Sequence, residues 1–134
     1  MPRASVLLAD DNSAILNHVT KMLEKEYDVV AGVKSGASLL ANWRGLRADV
    51  IVLDIAMGDP DGIEVARRLR DSGCDSKIVF LTVHDDPEFV KAGMAAGGSA
   101  YVVKSRLSTE LVPAIHAVLA GKLFVSSTLM YEGT

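Results

Sequence analysis

Cysteine is almost missing from this 134-residue chain: Cys74 stands alone, so no intrachain disulfide can form and no partner thiol stands at metal-ligand spacing. That usage suits a reducing compartment. Positive charge is also short, with 14 Lys and Arg against 17 Asp and Glu and a net charge of −3. No excess remains to neutralise a phosphate backbone or to hold an anionic membrane surface. Long apolar runs are absent as well. After residues 1–5 the apolar stretch 6–9 stops at Asp10 and Asp11, too short for a signal-peptide core or a membrane span, and a cytoplasmic location is expected. Internal repeats, low-complexity tracts and the phosphate-cradling patterns G-x-x-x-x-G-K and G-x-G-x-x-G are missing too.

What the chain does have is apolar content, 49% against 23% charged, with a mean hydropathy of +0.25, which excludes disorder. Its length fits one domain, and a chain of this size removes roughly 65–70% of its unfolded surface from water, enough for a core without disulfide or metal staples. Five short aliphatic runs, 6–9, 29–33, 50–53, 78–81 and 101–103, are strand-like. Between them lie helical spacings: Ile15, Val19, Met22; Leu39, Trp43, Leu46; Ile63, Ala66, Leu69; Val90, Met94; and Leu111, Ile115, Val118. Helix-start signals agree at Asn12, Asp61, Asp86 and Ser105, and Gly121 supplies a stop. The first, third and fourth runs are continuously apolar, which implies strands covered on both faces. The expectation is therefore an α/β fold: a doubly wound, flavodoxin-like (βα)5 parallel sheet of order 2-1-3-4-5 in a three-layer α/β/α sandwich. Residues 1–121 form the expected domain, and 122–134 a tail that packs on it or begins a linker to something absent from this chain.

Ligands of such sheets bind beyond the carboxyl ends of the strands. The residues there are polar: Asp10 and Asp11 after the first run, Asp54 after the third, Thr82 after the fourth and Lys104 after the fifth. The strand order brings Asp10, Asp11 and Asp54 together, where bare carboxylates repel. A hard divalent cation with oxygen ligands, Mg²⁺ in a cell, offsets that cost. Lys104 adds a positive point and Thr82 a hydroxyl, completing a site for one tetrahedral dianion. A carboxylate so flanked is equipped to attack a phosphoryl group. Asp54 is the better nucleophile, because the adjacent Asp10 and Asp11 suit the metal. Asp71, Asp75, Asp85 and Asp86 fit caps and turns.

Over residues 5–121 the chain resembles the receiver domain of two-component response regulators. The resemblance rests on the ordered set Leu7-Leu8-Ala9-Asp10-Asp11, Val52-Leu53-Asp54-Ile55-Ala56-Met57, Asp61-Gly62, Leu81-Thr82 and Tyr101-Val102-Val103-Lys104. It implies that Asp54 is the phosphoacceptor, that Asp10 and Asp11 hold Mg²⁺ with the Ala56 carbonyl, and that Lys104 binds the phosphoryl group. Thr82 and Tyr101 would be a switch pair, Thr82 moving inward to vacate space for the Tyr101 ring. The stretches Asp85-Asp86-Pro87-Glu88-Phe89-Val90 and Ala114-Ile115-His116-Ala117-Val118-Leu119-Ala120-Gly121, with Phe124-Val125-Ser126, resemble the NarL/FixJ (LuxR-type) branch. That branch usually carries a C-terminal helix-turn-helix. The resemblance thus implies a cognate histidine kinase, self-catalysed phosphorylation and dephosphorylation of Asp54, homodimerisation on phosphorylation, and transcriptional control through a DNA-binding domain outside this chain.

Two departures concern the loop beside Asp54 and access to it. Gly58 stands where the family commonly has proline, with Pro60 displaced, and Val83 is bulkier than the frequent alanine. His84 reads as an exposed loop residue, and His18 and His116 as surface residues. Flavin binding is disfavoured because Asp10 and Asp11 would repel the cofactor's phosphate. A haloacid-dehalogenase-type phosphatase needs a second aspartate at the position of Ala56. The alternative kept open is a stand-alone receiver or a phosphorylation-independent interaction module.

Overall fold

Val50–Leu53 has four successive apolar side chains, all buried, and this pattern sets the architecture. A strand can bury every residue only if both faces are covered. In a computed structural model of the chain, which describes residues 3–130, this strand lies in the middle of a parallel sheet between two layers of helices. In chain order the elements are β1 (Ser5–Ala9), α1 (Ser13–Leu23), β2 (Asp28–Val33), α2 (Gly36–Leu46), β3 (Val50–Leu53), α3 (Gly62–Asp71), β4 (Lys77–Thr82), α4 (Pro87–Ala95) and β5 (Ala100–Val103). A 3₁₀ turn (Lys104–Arg106) then leads into α5 (Leu107–Leu119), β6 (Phe124–Val125) and the short α6 (Ser127–Met130). No helix among the described residues is long and apolar enough to cross a membrane.

The sheet order is β2-β1-β3-β4-β5-β6. The expected order 2-1-3-4-5 is present, and a sixth strand extends it. Side chains alternate between the layers along each central strand. Leu7, Ile51, Leu53, Phe80 and Tyr101 join the core beneath α2, α3 and α4. Val6, Leu8, Val52, Val79 and Leu81 join that beneath α1 and α5, which contribute Val19, Leu23, Leu111, Ile115 and Val118. β2 alternates exposed and half-buried positions, as an outer strand does.

Caps locate the helix starts. Asn12 accepts from the Ile15 N–H, Ser35 from the Ser38 N–H and Asp61 from the Glu64 N–H, satisfying N–H groups that the first helical turn leaves open. At α4, Asp86 occupies the cap position without such a bond, and Pro87 opens the helix. α4 is held more firmly at its other end. Gly93 sits so close to the Phe80 ring that a Cβ would lie 3.0 Å from it, and Arg70 donates to the Cys74, Ser76 and Gly97 carbonyls. Beyond Gly121 the residues up to Met130 stay on the domain: Phe124 and Val125 pair with Ala100 and Tyr101. Residues 131–134 of the tail, and Met1 and Pro2 at the other end, lie outside the described residues.

Candidate functional site

Register brings the acids together. Ala9 pairs with Leu53, so the next residues of β1 and β3, Asp10 and Asp54, leave the sheet side by side. Thr82 pairs with Val103 in the same way, which sets Lys104 beyond β5 on the same rim. Asp10, Asp11 and Asp54 present carboxylate oxygens that all lie within 4.8 Å of one another. Asp10 and Asp54 are buried and Asp11 is exposed, so the cluster has a dry floor and one open side. On the α1 side that floor is a small cavity walled by Ile15, Leu16, Val19, Val52 and Leu81.

The Lys104 ammonium reaches both buried acids, with Nζ 2.8 Å from Asp10 Oδ2 and 3.1 Å from Asp54 Oδ2. Backbone donors fix the remaining oxygens: the Asn12 N–H donates to Asp10 Oδ1 at 2.9 Å and the Ala56 N–H to Asp54 Oδ1 at 3.2 Å. Burial pushes the Asp54 carboxyl above the usual carboxylate range, and the Asp10 charge adds to the rise, while Lys104 and the Ala56 N–H pull it back. For Lys104 burial works downward, but the bonds to Asp10 and Asp54 outweigh it, and its ammonium is held above the ordinary lysine value. One ammonium faces three carboxylates, and an all-oxygen donor set with charge still to be balanced fits a hard cation such as Mg²⁺.

Gly62 is the tightest point around the site. A Cβ there would lie 2.1 Å from the Asp54 carbonyl oxygen, so α3 begins hard against the backbone that carries the acid. The loop departure noted in the sequence is accommodated by Gly58, which takes a positive φ of 88°.

Thr82 is fully buried, and its Oγ1 accepts a long bond, 3.4 Å, from the His84 N–H. The Tyr101 ring is fully buried too, tilted against Phe80, with its hydroxyl donating to the His84 carbonyl at 2.8 Å. Burial, with the charges of Asp85, Asp86 and Asp54, drives the Tyr101 phenol far above its ordinary value, so it acts as a donor. His84 is not the exposed loop residue expected: it is half-buried, and its ring stacks on Phe89 at 4.3 Å. Its role lies in backbone atoms, which no residue type announces. Val83 is exposed at 65% and packs into neither core. His18 is exposed, as expected, and so is His116, which pairs with Glu26 at 2.7 Å.

Sequence reasoning also missed Glu110. It is a buried acid on α5, with Oε2 accepting from the Ser127 N–H at 3.1 Å and the Ser127 hydroxyl at 2.8 Å.

Comparison with known proteins matches residues 6–116 to the model of the response regulator receiver domain. Among curated proteins, the chain is 33% identical over 129 residues to the response regulator GacA of Pseudomonas viridiflava, covering 95% of this chain and 60% of that protein. It is 31% identical over 130 residues to the transcriptional regulatory protein DesR of Bacillus subtilis, covering 96% and 64%. The chain thus spans about 60% of the length of the first of these relatives. Among solved structures, a LuxR-family two-component response regulator from Aurantimonas sp. SI85-9A1 superposes with a TM-score of 0.92 at 31% identity, covering 97% of this chain and 94% of that one.

Proposed function

The chain belongs to the response regulator receiver domain family, of the LuxR/NarL type that switches by phosphorylation, and from that premise we propose that Asp54 is its phosphoacceptor. The observation that carries this reading is the meeting of Asp10, Asp11, Asp54 and Lys104 at the ends of paired strands. An Asp54 carboxylate oxygen attacks the phosphorus of a phosphohistidine on a cognate sensor kinase, or of a small acyl phosphate. The P–O bond to Asp54 forms as the donor's bond to phosphorus breaks, and its electron pair leaves with the imidazole or carboxylate. Transfer to water later regenerates the free acid.

Asp10 and Asp11, with Asp54 and the Ala56 carbonyl, would hold Mg²⁺. When bound, the ion supplies positive charge against the phosphoryl oxygens. The protein's own part is positional. The Ala56 N–H steadies one Asp54 oxygen, and Lys104, released from Asp54 Oδ2, turns to the incoming phosphoryl oxygen. Thr82 offers its hydroxyl to another oxygen, and Tyr101 is its partner in the switch. Output is transcriptional, through a helix-turn-helix domain outside this chain. Two-fold symmetric DNA sites favour a phosphorylation-dependent homodimer, which sedimentation with and without beryllofluoride checks.

Mass spectrometry after treatment with acetyl phosphate and Mg²⁺ tests the central assignment. One phosphoryl addition is expected, and its persistence in Asp54→Asn overturns it.

A further inference from the structure

The stretch Phe124–Leu129 is attached to the domain mainly at β5, at α5 and in the core beside them, and its Phe124 N–H also donates to the Ser99 carbonyl just before β5 at 3.2 Å. Phe124 and Val125 pair with Ala100 and Tyr101. Ser126, fully buried, donates its N–H to the Tyr101 carbonyl at 2.9 Å and accepts from the Val103 N–H on its Oγ at 2.9 Å. Ser127 gives both its N–H and its hydroxyl to Glu110 Oε2. Leu129 is buried in the same apolar cluster as Tyr101, Val103 and Ala96.

We propose that this stretch is a strap, latched by Glu110, whose hold on β5 changes when the Tyr101 switch changes. The inference rests on the proposed phosphorylation of Asp54. Tyr101 is the shared part: its side chain donates to the His84 carbonyl at one end while its backbone carbonyl receives the strap at the other. A displacement of β5 that alters the first contact moves the second with it. The strap also lies near a balance point. It is short, most of its attachments are hydrogen bonds, and elements so held open locally without global unfolding. The latch has a built-in cost, since Glu110 Oε1 is buried with no hydrogen-bond partner among the described residues. A strap that strengthens or lets go with the state of Tyr101 would hand the signal to whatever follows it in a longer chain.

Hydrogen exchange followed by mass spectrometry on the 134-residue protein tests this, using the peptide that covers residues 124–129. The readout is taken with and without Mg²⁺ and beryllofluoride, after acetyl phosphate has been checked for a phosphoryl addition at Asp54. Exchange in this peptide is expected to change by about fivefold or more on adding beryllofluoride, the size expected for one hydrogen bond gained or lost. Ser127→Ala, a substitution at an exposed position that should fold normally, is expected to speed exchange there by a similar factor and to shrink the response. Glu110→Gln should do the same. Unchanged exchange on adding beryllofluoride, in protein whose Asp54 takes the phosphoryl group, overturns the coupling. Unaltered exchange in Ser127→Ala overturns the latch. Absence of any phosphoryl addition would count against the Asp54 assignment instead, and the Ser127→Ala comparison would still decide whether Glu110 holds the strap.

Discussion

The Tyr101 hydroxyl is held by the backbone of His84, at 2.8 Å from its carbonyl, and the N–H of that same histidine leans on the Thr82 hydroxyl at 3.4 Å. Thr82 and Tyr101 are therefore joined through the backbone of one residue, His84.

Tyr101→Phe keeps the buried ring and removes this link. A loss of about 1 kcal/mol in unfolding free energy is expected, typical of one hydrogen bond whose acceptor can turn to water. Asp54 should still accept phosphate. The amide chemical shifts of residues 83–86 should respond less to beryllofluoride than in the wild type, and a full response would separate Tyr101 from the switch.

Two glycines make a matched test of the site's packing. Gly62→Ala places a Cβ where the Asp54 carbonyl stands, so the loop must shift. Denaturant unfolding should report a loss of at least about 2 kcal/mol, in the range of other steric strain, with phosphorylation sharply slowed. Gly45→Ala, in α2 with nothing within 4 Å of the new Cβ, should instead stabilise by about 0.5–1 kcal/mol.

Asp54 works against the stability of the metal-free fold. Because burial raises its pKa, its contribution to stability is present below the ordinary carboxylate range and is lost as pH rises through the folded-state value. At pH 7 without divalent ions, Asp54→Asn should melt higher than the wild type. Millimolar Mg²⁺ should raise the wild-type melting temperature by mass action and the mutant's by less. Equal shifts in both would remove Asp54 from the metal site.

Glu110 behaves in the opposite sense. Burial pushes its carboxyl up, but the nearby Ser126 hydroxyl, the Ser127 hydrogen bonds and the Arg106 charge outweigh it, leaving the pKa below its ordinary value. The stability it provides is present above the ordinary glutamate pKa and is lost as pH falls through the lowered one. Urea unfolding should find Glu110→Gln less stable than the wild type at pH 6, with the gap narrowing steadily as pH falls below the ordinary glutamate range of about 4.

Strand ends were the legible part of the molecule. β1, β3 and β4 announce themselves by runs apolar on both faces, with Asp10, Asp54 and Thr82 where those runs stop, and Lys104 stands after the short run of β5. Their meeting follows from strand order and register, a consequence of topology that composition alone does not carry. β6 was illegible for a plain reason: two residues have no period. His84 acts through its peptide and Arg70 through three carbonyls, contacts that any sequence offers equally. Glu110 sits among Leu107, Leu111 and Ala114 on the buried side of α5, where an acid looks like a break in the pattern until its serine partners are known.

The two rims of the sheet are unlike. On one side the six-residue β2 pairs with β1 and ends the sheet, leaving its outer edge open, with Asp28, Val30 and Gly32 as exposed positions. On the other, β6 is two residues long and followed at once by a helical turn. A blunt rim of that kind gives a neighbouring strand almost nothing to add to, which is how soluble sheets resist edge-to-edge growth. Any uncontrolled polymerisation of the folded protein through its sheet would therefore start at β2, where Asp28 is the charged guard.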